Sequence, residues 1–354
     1  MKTKVNNINI YELKPNMILS EDLILNGLTL VTKEVSLNNS MIKKILEFYP
    51  LNTINVYDNG EMNIPDSQIS REQNLIQTEI VLNRFSSNIN NFLNSIETST
   101  QLDLTEIRFM SKEILDNLND YGAILKTITN SGNMDEYLVH HCVNVALLSS
   151  MLGKWLNFAK KDLILLTYSA FLHDIGKTKV NQNILNKPSS LTQTEFKEIK
   201  KHSIYSYDLV KNIPYLDESV GLGILMHHER LDGSGYPFGL KEDKISDFAK
   251  IIGITDMFDA MTSNKVYRKK QNPLVVLEFM KHDCMGLFDY NYLTTFITQM
   301  LNYYTGEMVK LNNDSIGKII KLDPNNISRP LITIDSNFVD LSVEKDLFII
   351  ELIP

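Results

Sequence analysis

Two of the chain's seven histidines, His227 and His228, stand side by side at the head of "HHERLDGSGYP" (227–237). One reading is a polar helix end running into a turn. The other is a pair of metal ligands carrying a substrate-facing loop. A second stretch, "FLHDIGKTKV" (171–180), puts His173 and Asp174 behind an apolar helical run, with Gly176 at the expected helix stop. Adjacent residues on a helix do not face each other, but near a helix end both reach one inward point. An imidazole and a carboxylate there suit a divalent transition metal, and the second carboxylate oxygen is free to bridge to another ion. His141 in "YLVHHCVNVALLSS", His202 in "EFKEIKKHSIYSYDLV" and Asp256 in "AKIIGITDMFDAMTS" also sit at the edges of stretches that would otherwise be core. Buried imidazoles and carboxylates need partners, and a pair of metal ions supplies one common partner for all of them.

The elements that must position these groups are mostly helical. Ile76, Ile80, Leu82, Phe85, Ile89 and Phe92 recur at helical spacing. Further helices are expected over 137–156, 162–174, 192–212, 218–228, 246–263 and 273–304, with Thr192 and Glu195 forming a capping box. Residues 1–58 read differently. "NINIYEL", "MILSEDLIL", "LTLVTKEVSL" and "NTINVYD" are expected strands around one short helix starting near Asn39. Residues 59–70 carry Gly60 and Pro65 and read as a linker. After Gly306, "EMVKL", "IGKIIKL", "LITID" and "LFIIELI" are expected strands, with turns supplied by "LDPNNISRP". The expected organisation is a β-rich module at 1–58, a linker at 59–70, a helical lead-in at 71–130, a catalytic domain at 131–305 and a second β-rich module at 306–354. The fold class is mainly α, an all-helical core flanked by small β-rich N- and C-terminal modules.

Length, 354 residues, and 43% hydrophobic content fit a globular protein of two or three domains. A net charge of -8 argues against broad binding to DNA or RNA, though a local cationic pocket still admits a small anion. Cys142 and Cys284 are far apart and offer no disulfide framework, which suits a reducing compartment. Polar residues interrupt the N-terminus early, and apolar runs such as "VALLSSML" are too short to span a bilayer. The expectation is a cytoplasmic protein without a membrane segment.

The order His141, His173-Asp174, His202, His227-His228, Asp256 resembles the metal-ligand order of the HD-GYP family, a branch of the HD phosphohydrolases. The matching stretches are "HCVNVALLS", "HDIGK", the lone His202, "HHERLDGSGYP" and "DMFDAMTSNKVYRK", covering about 135–305. His140 and His282 fall outside the pattern and read as structural or exposed. The resemblance implies an HD-type helical fold and hydrolysis of the bacterial second messenger cyclic di-GMP to pGpG, sometimes further to GMP. It implies two divalent metal ions. One takes His141, His173, Asp174 and Asp256; the other takes His202, His227 and His228, with Asp174 bridging. Mixed imidazole and carboxylate ligation fits Fe or Mn and leaves Zn open. A metal-activated water would be the nucleophile.

Some family members carry a third metal and a glutamate four residues before the first ligand histidine. Tyr137 stands there, and Glu136 lies about 100° around the helix from that face, so two metals are expected. Lys177, Lys265 and Arg268 are the implied substrate-binding cations, Lys177 also assisting catalysis. Lys265 stands where arginine is usual and Val266 where proline is usual; lysine offers a flexible charge in place of a planar bidentate contact. Glu229 is expected to support the ligands; Asp259 is expected to support them or to cap its helix, with a helix-end salt bridge as the alternative. Asp232 is expected either to bond the histidines or to hold the turn. Gly233, Gly235 and Pro237 shape the loop. Tyr236 is expected in loop shape and partner contact rather than catalysis. Cys142 reads as a buried small hydrophobe.

Three readings follow. The first is an active cyclic di-GMP phosphodiesterase. The second is an HD hydrolase for another cyclic dinucleotide or nucleotide. The third is a non-catalytic dinucleotide sensor or a module docking a diguanylate cyclase; members of that kind usually lose ligands, and none is lost here. A cyclase contact through the Gly-Tyr-Pro loop and a homodimer remain open, and the β-rich modules carry no evident chemistry.

Overall fold

A computed structural model describes residues 5–353 except 16, 26–27, 32, 34–36, 38, 49–52, 58–65, 99–101, 118–120, 131–136, 215, 265–269 and 336. The chain divides into two compact units, Met1–Val81 and Leu82–Pro354.

In the first unit β1 (Val5–Asn9) leads to a hairpin of β2 (Leu23–Leu25) and β3 (Leu28–Val31), then α1 (Asn39–Phe48) and β4 (Thr53–Tyr57). β1 and β4 pair antiparallel, Val5 opposite Tyr57. Period-two alternation turns Ile54 and Val56 inward, where they meet Ile42 and Ile45, one helical step apart on α1, together with Leu19, Leu23 and Leu37. The strand expected across "MILSEDLIL" shrinks to β2, preceded by a single bridge from Leu19 to Val56. Residues 66–70, expected in the linker, form the opening turns of α2 (Asp66–Thr98).

The second unit is built around α5. The continuing part of α2 is followed by α3 (Thr105–Asn117), α4 (Tyr121–Asn130), α5 (Tyr137–Trp155) and α6 (Lys160–Leu172). From Cys142 to Gly153 every residue of α5 is buried, as a helix at the centre of a bundle must be. α6 packs against it, and Phe171 meets Phe85 edge to face at 6.4 Å. Then come α7 (Gln182–Leu185), α8 (Gln193–Lys200), α9 (His202–Val210), α10 (Glu218–Met226) and α11 (Asp247–Thr262). α11 packs on both α5 and α10. The capping box at Thr192 and Glu195 forms.

Two helices expected to be continuous are broken. The 192–212 segment is split at Lys201, where the backbone N–H bonds Glu198 at 3.1 Å and the His202 ring donates into the Ile199 carbonyl. The 273–304 segment divides into α12 (Pro273–Asp283) and α13 (Tyr290–Tyr304). Gly286 between them has φ +87°, a left-handed conformation that ends a helix, and Asp289 recaps the chain by accepting from the Asn291 and Tyr292 amides.

The C-terminal strands β5 (Met308–Leu311), β6 (Ile316–Asp323), β7 (Asn326–Ile334), β8 (Asn337–Asp340) and β9 (Ile349–Ile353) form one antiparallel sheet in the order β8-β7-β6-β5-β9. The stretch "LDPNNISRP", expected as turn, is mostly strand. The Asp323 carboxylate closes the turn by accepting from the Asn325 amide, and β7 begins at Asn326. Among the described residues no helix is long and apolar enough to cross a membrane.

Candidate metal centre

The polar groups singled out above come from five elements. His141 lies mid-α5, His173 caps the C-terminus of α6 with Asp174 next, His202 opens α9, His227 caps the C-terminus of α10 with His228 next, and Asp256 lies in α11. His173, Asp174 and His227 are wholly buried, and His141 and His202 nearly so.

Backbone and side-chain acceptors fix which ring nitrogen of each histidine faces inward. His173, His202 and His227 each direct Nδ1 at the carbonyl three residues earlier, those of Ala170, Ile199 and Ile224, at 2.7, 2.7 and 2.6 Å. His141 directs Nδ1 at Asp259 Oδ2, 2.6 Å away. A ring that donates from Nδ1 keeps a lone pair at Nε2. The four Nε2 atoms converge. His202 Nε2 lies 3.3 Å from His227 Nε2 and 3.1 Å from His228 Nε2. Two acceptor nitrogens this close repel unless a cation lies between them or one of them is protonated.

Asp174 spans the centre. Its Oδ2 lies 3.2 Å from His141 Nε2 and 3.5 Å from His173 Nε2, and its Oδ1 lies 3.1 Å from His202 Nε2. Asp256 Oδ1 lies 3.1 Å from His141 Nε2, and its Oδ2 lies 3.7 Å from His228 Nδ1. The donor atoms therefore fall into two groups able to hold metal, Asp174 with His202, His227 and His228, and His141 with His173 and Asp174. Buried His141 Nε2, His173 Nε2 and Asp174 Oδ1 have no hydrogen-bond partner among the described residues, an expensive state that coordination removes. Nitrogen and oxygen donors of this kind fit divalent first-row transition metals.

The charge states of these groups differ. Burial, reinforced by neighbouring imidazoles, holds His227 and His228 well below the ordinary histidine range, so both rings are neutral. Burial would also lower His141, but Asp174, Asp256 and Asp259 prevail and push it up to about 10. Burial opposes ionisation of Asp174, yet Lys177, His173, His141 and His202 hold its pKa well below the carboxylate range. Lys177 is ion-paired with Asp174 beside the cluster.

The remaining groups hold the ligands in place. Asp259, fully buried, also accepts from Asn144 Nδ2 at 2.8 Å and Ser263 Oγ at 3.1 Å, which locks the acceptor of His141. Asn144, three residues after His141, carried this signal in its helical spacing and was not singled out. Tyr137 stacks on His141 with centroids 5.3 Å apart. Gly176 is not the helix stop expected of it. The helix ends at Leu172, and Gly176 lies in a 3₁₀ turn where an added Cβ would meet His202 O at 2.2 Å and Ser206 N at 2.4 Å. This close approach sets the His173-Asp174 turn against α9.

In the loop, Glu229 is buried and accepts from the amides of Phe238 at 2.7 Å and Leu240 at 2.9 Å, so it moors the loop and does not reach the histidines. Of the two roles expected for Asp232, holding the turn is the one observed: it accepts from the Ser234 amide and hydroxyl. Gly233 has φ +83°, and Gly235 passes so close to residues 228–230 that a Cβ would lie 2.4 Å from Arg230 N. The Tyr236–Pro237 peptide is cis. The Tyr236 ring turns inward and stacks on His228, centroids 4.5 Å apart, where partner contact was expected. Arg230, also not anticipated, donates to the His227 and Glu229 carbonyls and packs over Phe288. His140 bonds Ser86, His282 is exposed, and Cys142 is buried. Lys265 and Arg268 lie outside the described residues, as does Glu136.

The fold and this cluster define a helical domain with two histidine–aspartate groups able to hold metal. Residues 116–289 match the HD domain family. The chain is 27% identical over 245 residues to a cyclic di-GMP phosphodiesterase of Pseudomonas aeruginosa, covering 69% of this chain and 59% of that one. It is 35% identical over 133 residues to a 3'3'-cGAMP-specific phosphodiesterase of Vibrio cholerae, covering 37% of this chain and 28% of that one. The chain thus spans less than two thirds of the length of these relatives. An HDG"Y"P protein from Bdellovibrio bacteriovorus shares the fold, with a TM-score of 0.51 and 16% identity over 84% of this chain and 99% of that one.

Proposed function

We propose that this chain is a metal-dependent phosphodiesterase that hydrolyses a cyclic dinucleotide, cyclic di-GMP first, with residues 131–305 as its catalytic domain. The observation that carries the reading is Asp174, whose two oxygens address two separate histidine groups. We assign one metal to His141, His173, Asp174 and Asp256, and the other to His202, His227 and His228 with Asp174 shared. Bound there, two divalent cations, Fe or Mn, supply Lewis-acid charge and acidify water near neutral pH.

The protein's own residues do the rest. Backbone carbonyls and Asp259 hold the imidazoles in the tautomer that presents Nε2. Lys177, tethered to Asp174, offers a cation beside the reacting phosphate. The Tyr236 ring covers His228 and keeps bulk water from one side of the site. The Vibrio cholerae relative makes 3'3'-cGAMP the second substrate to weigh.

The test is turnover of both dinucleotides by Mn²⁺-loaded or anaerobically Fe²⁺-loaded protein, with chromatography separating pGpG from GMP. Cyclic di-GMP is expected to be cut, and the His173→Ala/Asp174→Ala double variant is expected to be inactive. Metal-replete protein that cuts neither dinucleotide would refute the proposal.

A further inference from the structure

Lys200 closes α8 at the rim of the centre, and its ammonium is placed between two aromatic rings. Nζ lies 4.7 Å from the centroid of Phe196 and 4.9 Å from that of Tyr236. Tyr236 in turn stacks on His228, so one ring's thickness separates this cation from a histidine of the metal cluster. The carboxylates on the same helix are already engaged. Glu195 takes Lys187 at 2.7 Å and closes the capping box, and Glu198 takes Lys201 at 2.6 Å and the Tyr205 hydroxyl at 3.1 Å. Among the described residues no carboxylate pairs with Lys200. Phe196 beside it is 47% exposed, so the ring pair opens to solvent.

A half-buried ammonium held by two rings, with no anion of its own, is a place for an external anion. Lys177, held at the cluster by Asp174, serves the reacting phosphate and leaves a second phosphate unmatched. The substrate class of the proposed reaction has two phosphodiesters on opposite sides of one macrocycle. Only one can react at the metals; the other, a single negative charge, must come to rest beyond the ligand layer. We infer that Lys200, presented by Phe196 and Tyr236, binds the non-reacting phosphodiester of the cyclic dinucleotide and so selects substrates that carry two phosphates. This inference rests on the phosphodiesterase reading.

The experiment compares cyclic di-GMP with bis(p-nitrophenyl) phosphate, a diester that carries one phosphate. The quantity read is the ratio of kcat/KM for the two, in the metal-loaded full chain. A hydrogen bond to a charged group sets the scale, so Lys200→Met is expected to lower this ratio on the order of tenfold to a hundredfold through KM for the dinucleotide. The same variant is expected to flatten the dependence of that KM on ionic strength. Lys200→Arg, which keeps the charge over both rings, is expected to restore most of the ratio. An unchanged ratio in Lys200→Met overturns the inference. So does an equal fall on both substrates, which would mean that Lys200 only steadies Tyr236. Wild-type protein that cuts the one-phosphate ester but no cyclic dinucleotide would overturn the cyclic-dinucleotide reading itself, and this inference with it.

Discussion

Asp259 touches no expected metal position, yet the geometry makes it a strong determinant of metal affinity. It is fully buried, and Oδ2 holds His141 Nδ1 at 2.6 Å while Oδ1 takes Asn144 Nδ2 at 2.8 Å. Asp259→Ala frees the His141 ring to rotate or to carry its proton on Nε2, the atom that faces Asp174 and Asp256. Hydrogen bonds to a charged group contribute about 1.5–3 kcal/mol. Loss of a carboxylate that orients a ligand imidazole costs roughly 10–100-fold in metal affinity, which is about 1.4–2.7 kcal/mol. The two scales agree, so a loss of roughly 10–100-fold is expected for one metal of the two. Asp259→Asn should be milder, because Asn144 can turn its amide and offer its oxygen to the new NH₂ while the oxygen retained by the substituted side chain keeps His141. The assay is calorimetric Mn²⁺ titration of chelated protein, with thermal melting as a check on folding. Wild-type affinity at both sites in a folded Asp259→Ala variant would refute the reasoning.

Three further outcomes are expected. In chelated protein, His227 and His228 resist protonation in the folded state, so stability falls as pH drops below the ordinary histidine value of 6.5, where only the unfolded chain takes up protons. His141 acts in the opposite sense: its contribution is fully present below 6.5 and is lost as pH rises through about 10. A Tm measured from pH 5 to 10 should therefore fall at both ends, and a flat profile would contradict it. Gly176→Ala should destabilise by about 1–3 kcal/mol, because the new Cβ meets backbone at 2.2 and 2.4 Å, and urea melts should show a lower midpoint at unchanged slope. Glu229→Ala should release the loop, seen as faster hydrogen exchange at the Phe238 and Leu240 amides; unchanged protection there would show that the loop holds without it.

The helical class and the two β-rich regions were legible because period and composition change sharply near residues 58 and 306. The convergence of seven donor residues was legible because each interrupted an apolar stretch, and an unpaired imidazole in a core has few explanations. What failed were joints and partners. The break in 273–304 had a local signal, a stop glycine at Gly286 followed by a capping Asp289, which the expected single helix overlooked. Gly176 read as a stop because sequence spacing cannot reveal that α9 presses on it. Tyr236 read as a loop-shaping and partner-contacting residue, because its stacking on His228 depends on contacts that only the fold creates. Lys200 drew no attention because it fell in the middle of the helix expected over 192–212, and the helix end that places it at the site appears only in the fold.

The same dipole argument links the fold to the cluster. His173 caps α6 and His227 caps α10, so two helix C-termini deliver histidines at the negative end of the backbone. A histidine there uses the otherwise orphaned carbonyls of the last turn as acceptors for Nδ1, as the bonds from His173 to Ala170 and from His227 to Ile224 show. One geometric device thus does three things. It satisfies a helix terminus, selects the tautomer that presents Nε2, and adds partial negative charge where cations are wanted. Moving either histidine one residue earlier would put it inside the helix, where its nearest carbonyls are already bonded and the ring points about 100° away. The short sequence "LHD" after an apolar helix is therefore more than a pair of polar residues at a boundary; the position of the helix end is itself part of the ligand set.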